Sequence, residues 1–287
     1  MKTRLLLALS LVFIISGVNV SSAATVPFPG SRPFTLSVPP HYSKVLPEPL
    51  IIALTGYNQT GQDFENYLQL EPLTQSIGIL YVHPDGTKNS RGVRFWNGTP
   101  ECCNYGLPKV NDDAYIMSII DQVSAKYAVD PKRIYVIGHS NGGFLASALA
   151  CNHADRIAAI VSMAGASYIT QSACKARAPV SVLEVWGSRD VTFNGNHGAG
   201  RAIPGAPQIF KTWGAINRCS ANTVKTPNAL DLDSQLPGLE TDVTEFQQCP
   251  AGTAIDMWQI NGAGHTPNLS LDFSALIINF FLDHPKQ

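Results

Sequence analysis

Charge is what this sequence has least of. Asp, Glu, Lys and Arg make up 14% of its 287 residues and nearly cancel, leaving a formal net charge of −1. Proteins held to nucleic acid by its phosphates concentrate positive charge in a patch or stripe, and no basic stripe occurs here, so no nucleic-acid partner is expected. A heptad pattern, a repeat of fixed period and a Pro/Ser-rich or low-complexity linker are also missing, which leaves a single domain as the simplest organisation. The cysteines lack zinc-ligand spacing: Cys102 and Cys103 are adjacent, and Cys151, Cys174, Cys219 and Cys249 stand alone. Neither a metal nor an organic cofactor is implied.

What is present begins with a targeting pattern. Lys2 and Arg4 precede a compact apolar run, Leu5 to Val18, and "VSSAAT" supplies small residues for cleavage near Ala23 or Ala24. The run is short for a bilayer span, which needs about 20 apolar residues. A signal peptide over 1–24 and a secreted domain over 25–287 are therefore expected, extracellular or periplasmic, with no membrane insertion after signal removal. Six cysteines suit an oxidising compartment. Local pairing gives Cys151–Cys174 and Cys219–Cys249, leaving Cys102 and Cys103 as a vicinal bond or two free thiols.

Several short apolar runs read as strands buried on both faces: "PLIIALTG" from Pro49, "IGILYVHPDG" from Ile77, "RIYVIG", "IAAIVSMAG", "VSVLEVWG" and "TAIDMWQIN". "RPFTLSVPPHY" reads as an edge strand ending at Pro39-Pro40. Helical patterns lie between them. Ile116, Ile119, Ile120 and Val123 recur at helical spacing over 112–127, and "GGFLASALACNHADR", "PQIFKTWGAIN" and "SLDFSALIINFFLDH" follow. A long polar loop is expected over Thr87 to Pro108, carrying Trp96 and the cysteine pair. Strands alternating with helices imply a mainly parallel sheet covered on both faces.

One stretch carries chemistry. Gly138-His139-Ser140-Asn141-Gly142 fits G-x-S-x-G, with a strand before it and a helix after it. A turn that sharp forces Ser140 into strained backbone angles, and Gly138 and Gly142 remove the Cβ atoms that would crowd it. A serine hydroxyl is a poor nucleophile without a base. Of the seven histidines, His265 is favoured. It lies in "INGAGHTPN", where a strand ends in a glycine-rich loop, and it falls late in the chain as the order Ser…Asp/Glu…His requires. His197 in "FNGNHGAG" is the runner-up, either as base or as part of a site wall. His139 adjoins the serine and faces elsewhere, which leaves it a candidate for substrate contact. Asp190, just beyond the strand "VSVLEVWG", is the expected orienting acid. Asp231, Asp233, Asp242 and Asp256 also lie between serine and histidine but fall in loop-rich, edge or strand positions. The N–H groups of Asn141 and of Tyr57, in "ALTGYNQTG", are the expected oxyanion donors. Trp96 either stacks on substrate or packs over its own loop.

Together these residues resemble the secreted α/β-hydrolase esterases of the polyhydroxybutyrate depolymerase type and the feruloyl and acetylxylan esterases of carbohydrate esterase family one. The matching pieces are "LTGYNQTG", "FWNGTPECCNYG", "VNDDAYIMSIIDQV", "VDPKRIYVIGHSNGGFLASALAC", "VWGSRD" and "MWQINGAGHTP". The resemblance implies an α/β-hydrolase fold, Ser140, Asp190 and His265 as triad, and a small or oligomeric ester substrate, from a polyester or a plant cell-wall ester. Two positions depart from it. Thr55 stands where the family often has histidine, and Pro267 where many relatives have tryptophan. An amidase or peptidase with the same triad, or a hydrolase-fold binding protein without catalysis, are the rival readings.

Overall fold

The computed structural model describes residues 23–103, 110–197 and 201–287. The expected signal peptide therefore lies outside the described residues except for Ala23 and Ala24. Ten strands form one sheet in the spatial order β1-β2-β4-β3-β7-β8-β9-β14-β13-β12. They are β1 (Ala24–Phe28), β2 (Phe34–Val38), β3 (Glu48–Leu54), β4 (Leu80–Val82), β7 (Val129–His139), β8 (Ala159–Met163), β9 (Ser181–Gly187), β12 (Thr223–Leu230), β13 (Thr241–Phe246) and β14 (Ile255–Ile260). Two ribbons stand apart: β5 (Thr87–Lys88) with β6 (Arg94–Phe95), and β10 (Asn196–His197) with β11 (Arg201–Ala202).

The central strands β4, β3, β7, β8, β9 and β14 run parallel, and antiparallel pairs flank them on both sides. The parallel strands are the continuous apolar runs of the sequence, because both of their faces are covered. One face is packed by α3 (Asp112–Lys126), α4 (Asn141–Asn152) and α5 (Ala206–Asn217), through residues such as Ile119, Leu145 and Trp213. The other is packed by α1 (Gly61–Leu68), α2 (Leu70–Ile77) and α6 (Leu271–Asp283), through Phe64, Leu70 and Phe273.

Local chemistry sets the helix ends. Thr60 and Asp63 form a reciprocal capping box at the start of α1. Asn111 caps α3 by accepting from the Ala114 N–H, and Asp112 and Asp113 occupy the first turn while Lys126 occupies the last.

Two expectations need correction, and several elements were not anticipated. β2 is not the edge strand: β1 pairs along its outer side from Ala24↔Val38 to Phe28↔Phe34. A cleavage after Ala23 would leave that pairing whole. The loop expected over Thr87 to Pro108, of which 104–108 lie outside the described residues, is not purely irregular, since the β5–β6 ribbon folds part of it back on itself. β12, β13, α1 and α2 add elements that the apolar runs do not announce.

The cysteines pair as Cys151–Cys174, Cys219–Cys249 and Cys102–Cys103, the last a vicinal bond rather than two free thiols.

Candidate active site

β7 ends at His139, and α4 begins at Asn141, so Ser140 is the whole connection between strand and helix. Its backbone sits at φ 52°, ψ −118°, a conformation costing an L residue on the order of 1–3 kcal/mol. The surroundings enforce it. Ser140 N–H donates to the Met163 carbonyl on β8 at 2.7 Å, and the Ser140 carbonyl accepts from the Gly143 N–H at 2.9 Å. A Cβ on Gly138 would collide with the Gly142 carbonyl, and one on Gly142 with the Leu54 carbonyl at the end of β3. These two glycines are needed for space, as the sequence implied.

His265 Nε2 lies 2.9 Å from Ser140 Oγ, and His265 Nδ1 lies 2.7 Å from Asp190 Oδ2. The three predicted side chains are therefore brought into one relay. Asp190 follows β9 as expected, and its other oxygen, Oδ1, accepts from the Thr192 N–H at 2.9 Å and the Thr192 hydroxyl at 2.7 Å. Its side chain is fully enclosed while the His265 ring is open to the cleft. Burial works to raise the Asp190 carboxyl, but the hydrogen bonds with His265 and Thr192 and the His265 charge together hold it below its ordinary value. An ionised carboxylate then fixes the Nδ1–H tautomer and leaves Nε2 free to accept the serine proton.

A cavity of 340 Å³ opens above the serine, lined by Tyr57, Cys102, Cys103, Ser140, Phe144, Ala164, Val191, Thr192, Ile203 and His265. Its walls are mostly apolar. Tyr57 stands partly exposed at the mouth, and Val191 is largely exposed. Asn141 supplies the first amide of α4, one of the N–H groups that helix geometry leaves open. The loop bearing Tyr57 is braced in an unforeseen way. Gln59 Oε1 accepts from the Gly56 N–H at 3.1 Å and from the Thr55 hydroxyl at 3.3 Å. The Thr55 side chain thus supports this loop.

The candidate contacts with substrate fare differently. Trp96 is fully buried; its indole N–H donates to the Thr55 carbonyl at 3.0 Å, and its ring packs beside Tyr115. It braces the base of the loop that carries Tyr57 and does not reach the cleft. His139 is 4% exposed and does not line the cavity either; it lies behind the relay. His197 contributes backbone to β10, and its side chain lies outside the described residues. His153, the C-cap of α4, pairs with Asp113 at 2.6 Å.

Two features escaped the sequence reading. The vicinal Cys102–Cys103 pair forms a wall of the cavity. Asp112, fully buried, accepts from the Asn97 N–H at 2.6 Å and pairs with Arg32, so it anchors the loop that carries that wall. Among the described residues no group of three or more His, Cys, Asp and Glu side chains is placed to hold a metal ion.

The parallel sheet, the serine elbow between strand and helix, and the acid and histidine on loops after later strands define an α/β-hydrolase. The fold is shared with an acetyl xylan esterase from Aspergillus awamori, at a TM-score of 0.66 and 15% identity over 91% of this chain and 99% of that one. Residues 33–247 match the family model described as Esterase PHB depolymerase, and the chain belongs to that family. It is 26% identical over 227 residues to feruloyl esterase B of Piromyces equi, covering 76% of this chain and 39% of that protein. It is 25% identical over 223 residues to a bifunctional acetylxylan esterase/xylanase of Neocallimastix patriciarum, covering 77% and 29% respectively. The chain thus spans well under half the length of these two relatives.

Proposed function

We propose that the protein is a secreted serine esterase that hydrolyses carboxylic esters through an acyl-enzyme. The observation that carries this reading is the unbroken relay from Asp190 through His265 to Ser140 at the floor of an apolar cleft. Ser140 Oγ attacks the acyl carbon while His265 Nε2 takes its proton. The N–H groups of Asn141 and Tyr57 receive the oxyanion. His265 then returns the proton to the departing alcohol, and water, activated by the same imidazole, releases the acid.

The domain is proposed to run from 25 to 287 after removal of a signal peptide. The three disulfides suit an oxidising compartment. Among the described residues no helix is long and apolar enough to cross a membrane. Fold alone does not select a substrate. The named activities of the relatives point to esters of plant cell walls, and the family name to polyesters.

The test compares the purified protein with Ser140→Ala on p-nitrophenyl acetate. Hydrolysis is expected in the first and should fall to background in the second; equal rates would refute the reading. Hydroxybutyrate oligomers, feruloylated sugars and acetylated xylan identify the ester. A peptide amide in the same assay distinguishes an esterase from an amidase.

A further inference from the structure

The loop that carries His265 follows β14 and includes Gly262 and Gly264. A base on such a loop works only if the loop is held from outside. Most of its anchors lie on either side of the histidine. Ala263 O accepts from the Arg189 N–H at 2.9 Å, and the Gly262 N–H donates to Ser188 Oγ at 2.9 Å. Beyond the histidine, Pro267 O accepts from the Tyr67 hydroxyl at 2.8 Å, and the Asn268 N–H donates to Asp233 Oδ2 at 3.1 Å. The carbonyl of His265 itself is met by a side chain, the imidazole of His139, with Nε2 at 3.0 Å.

His139 is the last residue of β7 and the chain neighbour of Ser140. Its ring packs against Phe64 and Tyr67 of α1 and lies 5.2 Å from the ring of His265. A carbonyl only accepts, so His139 must donate from Nε2, which makes Nδ1 the unprotonated nitrogen of the neutral ring. Nδ1 faces Gly56 of the oxyanion loop, where an added Cβ would come within 3.1 Å of it.

We propose that His139 is a positioning residue for the base: its Nε2–H, bonded to the His265 carbonyl, helps to hold the His265 ring between Asp190 and Ser140. This rests on the reading of His265 as the base. It gives the Gly-His-Ser sequence a second meaning. One stretch of strand sets the nucleophile through Ser140 and, through His139, ties the loop of the base to the nucleophile's own neighbour, in addition to the four anchors that flank His265.

Neutrality is part of the role. Burial drives the His139 pKa down to about 4, and the charge on His265 acts the same way, against the opposing pull of the His265 carbonyl and Asp190. The titratable groups facing it are His265 and Asp190 from the relay and the Tyr67 phenol from α1. When His265 takes the serine proton, no second cation forms beside it.

Two measurements test the proposal. In protein labelled with 15N-histidine, NMR should show the His139 ring as the Nε2–H tautomer and unchanged between pH 5.5 and pH 8, the signal being assigned by its loss in His139→Gln. Titration within that range, or an Nδ1–H tautomer, overturns the proposal. This readout does not depend on turnover, so it stands apart from the Ser140→Ala test of the esterase reading.

Kinetics supply the second test. His139→Phe removes the donor but keeps a ring, and should lower kcat on p-nitrophenyl acetate on the order of 10²-fold, with KM changed less than about threefold. His139→Gln retains a neutral N–H and should recover most of that loss. Equal kcat in the two folded variants overturns the proposal. If His139→Phe does not fold, the tautomer and its pH response decide alone.

Discussion

Asn141 grips the backbone of Trp96 from both sides: Oδ1 accepts from the Trp96 N–H at 2.6 Å, and Nδ2 donates to the Trp96 carbonyl at 2.8 Å. The same residue offers its own N–H to the expected oxyanion, so its side chain ties that amide to the loop carrying the vicinal disulfide. Asn141→Ala would leave two buried groups of Trp96 unpaired, at about 1–3 kcal/mol each. A clear drop in the urea midpoint together with lower kcat is expected. Asn141→Asp keeps the acceptor but loses the donor and buries a carboxyl group, so it should rescue neither; chemical unfolding and kinetics on the two variants check this.

Asp190→Asn should retain the fold, since the amide oxygen can still accept from Thr192. It loses the carboxylate that selects the His265 tautomer, and kcat should fall on the order of 10³–10⁴-fold with little change in KM. Thr192→Val removes one of several bonds to Asp190 and should cost only a few-fold in kcat. Steady-state rates on an aryl ester measure both.

Gly142→Ala inserts a methyl group into the Leu54 carbonyl. The Leu54 carbonyl is backbone and an alanine Cβ has no rotamer, so neither can rotate away. Destabilisation of about 1–3 kcal/mol, with loss of turnover through displacement of Ser140, is expected from thermal melts and kinetics. Ser147→Ala, in the middle of the same helix, introduces no such overlap and serves as the comparison.

Glu184 lies in β9 opposite Ser162 of β8 and is fully buried. Burial raises its pKa to about 8, against the hydrogen bond that the Trp186 indole N–H donates to Oε2 at 3.3 Å. The folded protein therefore binds a proton that the unfolded chain releases near the ordinary value of 4.5. That contribution to stability is complete below pH 4.5 and is lost as the pH rises toward 8. Glu184→Gln cannot ionise. Its urea midpoint relative to the parent should shift upward between pH 5 and pH 8.5, and an unchanged or reversed difference would contradict the assignment.

The central strands and the elbow were legible because each is written in a contiguous stretch. A strand covered on both faces is an apolar run, and Ser140 sits among its own glycines. The relay was legible from chain order and from strand ends. β12 was not, since Thr223–Leu230 is mostly exposed, contains Pro227 and shows no alternation. Helices α1 and α2 have eight residues each, too short for periodicity to stand out, although Thr60 and Asp63 carried the cap. β1 was hidden beside the expected cleavage site. The fate of Trp96 depended on Thr55 and Asn141, each more than forty residues away in the chain. Such an aromatic reads the same in sequence whether it faces substrate or core.

The cleft borrows from nearly every part of the chain, from Tyr57 on the loop before α1 to His265 before α6. Contacts between residues so distant in sequence form late, because the intervening loops must close first. Recovery of turnover after dilution from denaturant should therefore lag the return of helical signal. The proposed catalysis would belong to the finished domain and could not be parcelled out among its fragments.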